Sequence, residues 1–284
     1  NIIMELIAKS RSTTEWVLSD DYRIVLQAFT DGLNPYFQTR REISRSIRLE
    51  LPEDFFKKKI EKIFFYGAGC SSEEKKKIVS SSLISQFHTP VQVESDLLAA
   101  ARGLFKNDAG IACVIDTGSN SCFYDGAKIV KNVRSGGYIL GDEGSNSILG
   151  KTFLSDVIKD LVPQHIMRDF YLKFSLTPDD ILSSVYDQPF PARFFATISR
   201  FLIDYIDDSY VDNLVTCNVR NFFSRCLSQY DYKHLPVRIV GSVGADYPQI
   251  LHKVAREFSF DIDRIVTNSM AGLIEFHAMN QGKL

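Results

Sequence analysis

No stretch of the sequence approaches the ~18 consecutive apolar residues that a membrane-spanning helix requires. The N-terminal residues also lack the basic start and apolar core of a signal peptide, so the expectation is a cytoplasmic protein with no membrane partner. Neither sign of charge dominates: 33 Lys and Arg face 35 Asp and Glu, which leaves no basic footprint for nucleic acid. Cysteine is sparse, and the five residues (Cys70, Cys113, Cys122, Cys217, Cys226) form no CxxC pair, which argues against a disulfide framework or a zinc ribbon. The five histidines have no metal-ligand spacing, and no set of metal-ligating side chains is expected. Also missing are a GxxxxGK phosphate loop and a GxGxxG after a strand, the two commonest nucleotide signatures.

What is present is the patterning of an α/β protein. At about 150 residues per domain, 284 residues suggest two domains. Short runs rich in β-branched and aromatic residues predict strands at 5–8, 15–18, 23–29, 63–66, 91–94, 111–116, 122–124, 128–130 and 237–240. Helical patterns lie between them at 39–49, 73–87, 95–105, 147–161, 178–185, 192–205, 212–230 and 247–258, with a last one at 269–280. The segments LIAKSRSTTEWV (6–17) and VIDTGSNSCFY (114–124) read as loose copies of one unit: strand, turn of small hydroxyl residues, strand. Each could open a similarly built domain, with the boundary at the polar turn before residue 107 and the last helix packing back on the first half.

Four places could carry chemistry. Asp116-Thr117-Gly118-Ser119-Asn120 lies between two apolar strands, where glycine and hydroxyl groups can converge on a phosphate; a plain hairpin is the alternative. Gly136 to Ser145 places four glycines around Asp142 and Glu143, carboxylates suited to accepting hydroxyl hydrogen bonds, unless Asp142 or Ser145 simply caps the next helix. Gly241-Ser242-Val243-Gly244 joins a strand to a helix and could meet a nucleotide, or be a tight turn. Asp96 opens a helix just past a strand end; it could accept a hydroxyl proton during phosphoryl transfer, but spacing alone favours a capping role.

In combination TGSNS and GGYILGDEGS, with YGAGC, ESDLLAAARGL and VGSVG in order around them, resemble the BadF/BadG/BcrA/BcrD ATPase family, and within it the N-acetylglucosamine-kinase-like branch. The resemblance spans nearly the whole chain. It implies two RNase H-like α/β domains of the actin-like ATPase fold around a central cleft: 1–106 with 269–284 packing back, and 107–268. It implies an ATP-dependent sugar kinase using ATP and Mg²⁺ on the 6-hydroxyl of N-acetylglucosamine or a related amino sugar, and leaves a homodimer open. By the same resemblance Asp96 is the catalytic base, reversing the capping preference. Ser10, Ser12, Thr13, Thr117, Gly118, Ser119, Gly241 and Ser242 bind the nucleotide, and Asn34, Ser119, Asn120, Gly137, Asp142 and Glu143 bind the sugar.

The chain departs from this pattern at its first hairpin. Where relatives carry a motif like DSGSTKT, it has Lys9-Ser10-Arg11-Ser12-Thr13-Thr14, one residue shorter, with Lys9 at the acidic position and Arg11 at the first glycine. A cation there repels Mg²⁺ but could neutralise phosphate directly. Asp116 also stands where relatives commonly have glycine. Two other readings follow: a sugar or nucleotide binder of the same family without catalysis, and an ATPase activator of a radical dehydratase or reductase, which would need close thiolates such as Cys113 and Cys122.

Overall fold

The computed structural model describes residues 3–284, which form two compact units. One comprises the chain up to Asp108, Gly126–Lys128 and Ser269–Leu284; the other comprises Ala109–Asp125 and Ile129–Asn268. The first contains β1 (Met4–Ser10), β2 (Thr13–Asp20), β3 (Arg23–Asp31), α1 (Arg40–Glu50), the single turn α2 (Asp54–Lys57), β4 (Lys62–Gly67), α3 (Glu73–Phe87), β5 (Val91–Ser95) and α4 (Asp96–Phe105). The second continues with β6 (Gly110–Ile115), β7 (Ser119–Tyr124), β8 (Ile129–Lys131), α5 (Gly137–Leu140), α6 (Asn146–Ile158), α7 (Gln164–Phe174), α8 (Pro178–Tyr186) and α9 (Pro191–Ser199). A 3₁₀ segment (Arg200–Tyr205), α10 (Ser209–Arg225), β9 (Val237–Val240), α11 (Ser242–Asp246), α12 (Pro248–Glu257) and β10 (Arg264–Val266) complete it. Helix α13 (Met270–Met279) belongs to the first unit.

The sheet of the first unit runs β3-β2-β1-β4-β5, and that of the second runs β8-β7-β6-β9-β10. In each, three strands form an antiparallel meander; its first strand pairs in parallel with the next strand of the chain, which in turn pairs in parallel with the last. Both units are thus the same mixed-sheet motif, the RNase H-like arrangement. The loose sequence repeat marks equivalent hairpins. Ser10 pairs with Thr14, and Ile115 with Ser119, across three residues. Arg11 N–H to Thr13 O and Asp116 N–H to Gly118 O are the same 2.9 Å bond inside each.

Residue patterning explains the layers. Strands β1 and β6 (MELIAKS, GIACVI) sit inside their sheets and are buried almost throughout, with apolar centres, as strands covered on both faces are. Edge strand β3 instead has no fully buried residue and alternates half-buried with exposed positions from Leu26 to Asp31. Helix α4 is buried at every residue from Leu97 to Phe105, and its run of alanines and glycine lets α13 approach closely. Beside that contact lies a buried polar network. Arg102 Nη1 donates to Tyr66 Oη at 2.8 Å, and Tyr66 Oη lies 2.7 Å from His277 Nε2. Glu5 Oε2 is 3.9 Å from His277 Nδ1. Burial pushes the Glu5 carboxyl up to about 7, against the pull of Lys62 and a hydrogen bond from Gln281. Burial, with Arg102 and Lys62 nearby, lowers His277 to about 3, so its ring is neutral at pH 7.

Sequence patterning missed α2, α5, α7, α11 and β10. Except for α7, these have three to five residues, too few to show a period. The expected helix over 192–205 tightens into 3₁₀ geometry after Ser199, and the one over 212–230 starts at Ser209 and ends at Arg225. Strand β7 begins at Ser119 rather than 122, which moves Ser119 and Asn120 from the turn onto the ladder.

Candidate functional site

In open sheets with parallel strands, ligands meet the chain at the carboxyl ends of those strands, where loops and helix starts converge. In the first unit these ends are level: Ser10 pairs with Gly67, and Gly67 with Ser95. The first hairpin, the turn Ala68-Gly69-Cys70 and the start of α4 therefore lie side by side. Neighbouring strands are about 4.8 Å apart, so β1 and β5 are separated by about 10 Å with only small residues of β4 and its turn between them. Arg11 spans that gap: its Nε donates to Asp96 Oδ2 at 2.5 Å. The pair is accessible to solvent, with side-chain exposures of 40% for Arg11 and 21% for Asp96.

Ser95, not Asp96, caps α4, its hydroxyl accepting from Leu98 N–H at 3.2 Å. The carboxylate of Asp96 is thereby left for Arg11. Lys9 donates through Nζ to Ser269 Oγ at 3.1 Å. Ser10 is buried, its hydroxyl 2.7 Å from Thr14 Oγ1 and accepting from Leu33 N–H at 2.8 Å, so it braces the hairpin from beneath. Ser12 and Thr13 are exposed at the tip. Asn34 lies over the β4 turn: a Cβ on Gly69 would fall 2.3 Å from Asn34 Oδ1, which accepts from Tyr36 N–H. Ser10, Ser12, Thr13, Asn34 and Asp96, separate in sequence, are thus gathered at one end of this sheet.

The second unit shows the same construction with different chemistry. Asp116, at the position equivalent to Arg11, turns inward. Its Oδ1 accepts from Ser242 Oγ at 2.7 Å and from Thr117 N–H at 3.0 Å, and its Oδ2 accepts from Ser242 N–H at 3.3 Å. A carboxylate suits the N-terminus of α11, whose first N–H, on Ser242, points at it. The hairpin is therefore locked to the Gly241-Ser242 turn. Gly241 has φ +129° and a Cβ there would fall 2.3 Å from Ile115 O, so only glycine fits. Asn146 Nδ2 adds a bond to Ser242 Oγ at 2.8 Å, and Ser147 N–H donates to Thr117 O at 3.1 Å.

Asp142 reaches the same hairpin from the other side. It adopts φ +54°, and its Oδ1 accepts from Ser119 N–H at 3.1 Å. Both carboxylate oxygens lie 3.2 Å from where a Gly118 Cβ would be, so Gly118 admits the carboxylate. The capping role left open for Asp142 falls to Ser145, which accepts from Ile148 N–H. Asn120 Oδ1 accepts from Asn132 Nδ2 at 2.9 Å. Glu143 turns away from its neighbour and binds Arg225 at 3.1 Å. Gly137, at φ +75°, opens the single turn α5, with nothing within 4 Å of a Cβ. Patterning missed Asn218, which supports this loop. From within α10 it accepts Gly144 N–H at 2.9 Å and donates to Ser145 O at 3.0 Å. Its only sequence signal is an amide on the buried face of an amphipathic helix.

The donor set does not suit a protein-held divalent cation at the first hairpin, where Lys9 and Arg11 place two positive charges. Among the described residues no three His, Cys, Asp or Glu side chains cluster to hold a metal. Cys113 and Cys122 are fully buried. Burial drives both thiols up, Cys122 to about 12, which keeps them protonated and poor ligands. No described helix is long and apolar enough to cross a membrane.

No known protein-family profile matches the chain, and no curated protein sequence matches it. Among solved structures, a candidate N-acetylglucosamine kinase from Porphyromonas gingivalis is 36% identical, with a TM-score of 0.93 over 98% of this chain and 99% of its own. The chain belongs to the family of that protein. A candidate N-acetylglucosamine kinase from Chromobacterium violaceum (15% identity, TM-score 0.68, 97% and 99% of the two chains) shares the fold. So does a ROK-family glucokinase from Streptomyces griseus, solved with glucose and AMPPNP (12%, 0.62, 97% and 98%). The actin-like, sugar-kinase fold of this family member is established by these likenesses, whereas the broader BadF/BadG/BcrA/BcrD name is carried by none of them.

Proposed function

We propose that the protein is an ATP-dependent sugar kinase of the N-acetylglucosamine-kinase-like branch, phosphorylating the 6-hydroxyl of N-acetylglucosamine or a related amino sugar. The observation that carries this reading is the 36% identity, over nearly the full length of both chains, to the Porphyromonas protein. The geometry supports the following roles. Thr117, Gly118 and Ser119 would face phosphate from a hairpin held between Asp116 and Asp142, and Ser12 and Thr13 offer exposed hydroxyls at the equivalent hairpin. Gly241 and Ser242 would border the adenosine, Ser242 using surface left beside its bond to Asp116. Asn34, Asn120, Gly137, Asp142 and Glu143 are the sugar-binding candidates, with Asp142 best placed and Glu143 the least free because of Arg225. Asp96 would accept the hydroxyl proton once released from Arg11. Mg²⁺, expected with ATP, would rely on the nucleotide's own phosphates for ligands. The buried, protonated state of Cys113 and Cys122 weighs against the radical-enzyme activator reading.

One observation favours a second reading, a sugar or nucleotide binder that does not turn over: the proposed base is ion-paired to Arg11. Purified protein given ATP, Mg²⁺ and N-acetylglucosamine decides between them. A sugar monophosphate seen by mass spectrometry, with the rate reduced about 10²–10⁴-fold in Asp96→Asn, supports the kinase. Sugar binding by calorimetry without turnover of any hexose or hexosamine supports the binder.

A further inference from the structure

The Arg11–Asp96 pair joins the tip of one loop to the start of a helix 85 residues later, across the row of strand ends where a ligand would sit. It has two properties that a purely structural salt bridge lacks. Both partners are reachable by solvent, at 40% and 21% exposure, so the pair is screened and weak, in the class of exposed pairs that contribute about 1 kcal/mol or less. And Arg11 sits on the three-residue hairpin whose counterpart in the other unit presents Thr117 and Gly118, with Lys9 two residues before it on β1. Two cations and two exposed hydroxyls at one hairpin form a polyanion-binding set. A guanidinium prefers the paired oxygens of a phosphate to a single carboxylate oxygen.

We infer that Arg11 is the phosphate-charge acceptor of this hairpin, taking the role a divalent cation cannot fill beside Lys9, and that Asp96 and incoming phosphate compete for its guanidinium. Without a polyphosphate, Arg11 Nε occupies Asp96 Oδ2. A bound polyphosphate draws Arg11 away and frees Asp96. Phosphate binding and release of the base are thus one event, which makes the carboxylate available only when a donor is present. The inference rests on the kinase reading for the role of Asp96, but the competition itself does not.

The test is calorimetric titration with inorganic tripolyphosphate in EDTA, with no sugar, on the wild type, Asp96→Asn, Arg11→Ala and the double variant. Competition predicts that the wild type binds without metal and that Asp96→Asn binds about fivefold more tightly, the factor expected from releasing an exposed ion pair. Arg11→Ala should bind more weakly, and in its background Asp96→Asn should add nothing. Three results overturn the inference: no binding without metal, unchanged affinity in Asp96→Asn, or the same gain with Arg11 absent, which would mean simple repulsion by a nearby carboxylate. A protein that phosphorylates sugar yet fails this cycle leaves the kinase reading standing. One that passes the cycle but turns over no sugar leaves the competition standing alone.

Discussion

Replacing Glu5 by Gln should stabilise the first unit at alkaline pH and do nothing at acid pH. Glu5 is 5% exposed on β1, beneath α13, and burial raises its carboxyl from 4.5 to about 7. A carboxyl with a raised folded-state pKa contributes stability in full below its unfolded value, near 4.5. That stability is lost as pH rises to about 7 and stays lost above it. A shift from 4.5 to about 7, at 1.36 kcal/mol per unit, corresponds to about 3 kcal/mol at pH 8. Glutamine keeps the shape and never ionises, so it avoids that cost. His277 works in the opposite direction. Lowered to about 3, it contributes stability above its ordinary value near 6.5, which is lost as pH falls toward 3, and this is common to both proteins. The chain's only tryptophan, Trp16, is fully buried in β2 of the same unit, with Nε1 donating to Thr30. Its fluorescence in urea therefore reports this unit alone. The stability of Glu5→Gln relative to wild type should rise by about 3 kcal/mol between pH 4 and pH 8. Curves that stay parallel across that range would refute the reasoning.

Two other perturbations have definite outcomes. Gly241→Ala puts a methyl group against Ile115 O at φ +129°, and a loss of about 2–4 kcal/mol is expected by urea denaturation followed by circular dichroism; a wild-type midpoint would show that the β9 turn is not fixed as described. Of the five cysteines only Cys217 is exposed, so a thiol reagent at neutral pH should titrate one group rapidly in native protein and five in denaturant; rapid reaction of three would contradict the burial of the rest.

How far the sequence reached depended on the range of the interaction. Local signals read well. The helix expected over 178–185 is there and opens on a capping box between Thr177 and Asp180, the equivalent hairpins read as a repeat, and Asp142 stands out among its glycines. Partners far along the chain were invisible. Nothing at residue 11 points to Asp96, and nothing at 116 points to Ser242, because strand register alone brings them together. The family resemblance groups Ser10 with the nucleotide-binding hydroxyls. The place of β1 inside its sheet, covered on both faces, buries it, and that is a property of the sheet. Strand β10, three residues long, has no period to read and is defined by the parallel partner β9.

The amino-acid order by itself determined that this is a two-part α/β protein with two hydroxyl-rich hairpins and a glycine-lined acidic loop, since short-range patterning and turn chemistry need no partner to be expressed. Which charges meet was decided by tertiary structure. With β1, β4 and β5 level at their carboxyl ends and only small residues between, a guanidinium can cross to a carboxylate that sequence alone assigned to capping. In the other unit the equivalent position turns its carboxylate onto a helix start. Coulomb energy falls with distance, and distance between residues remote in sequence exists only once the chain has folded.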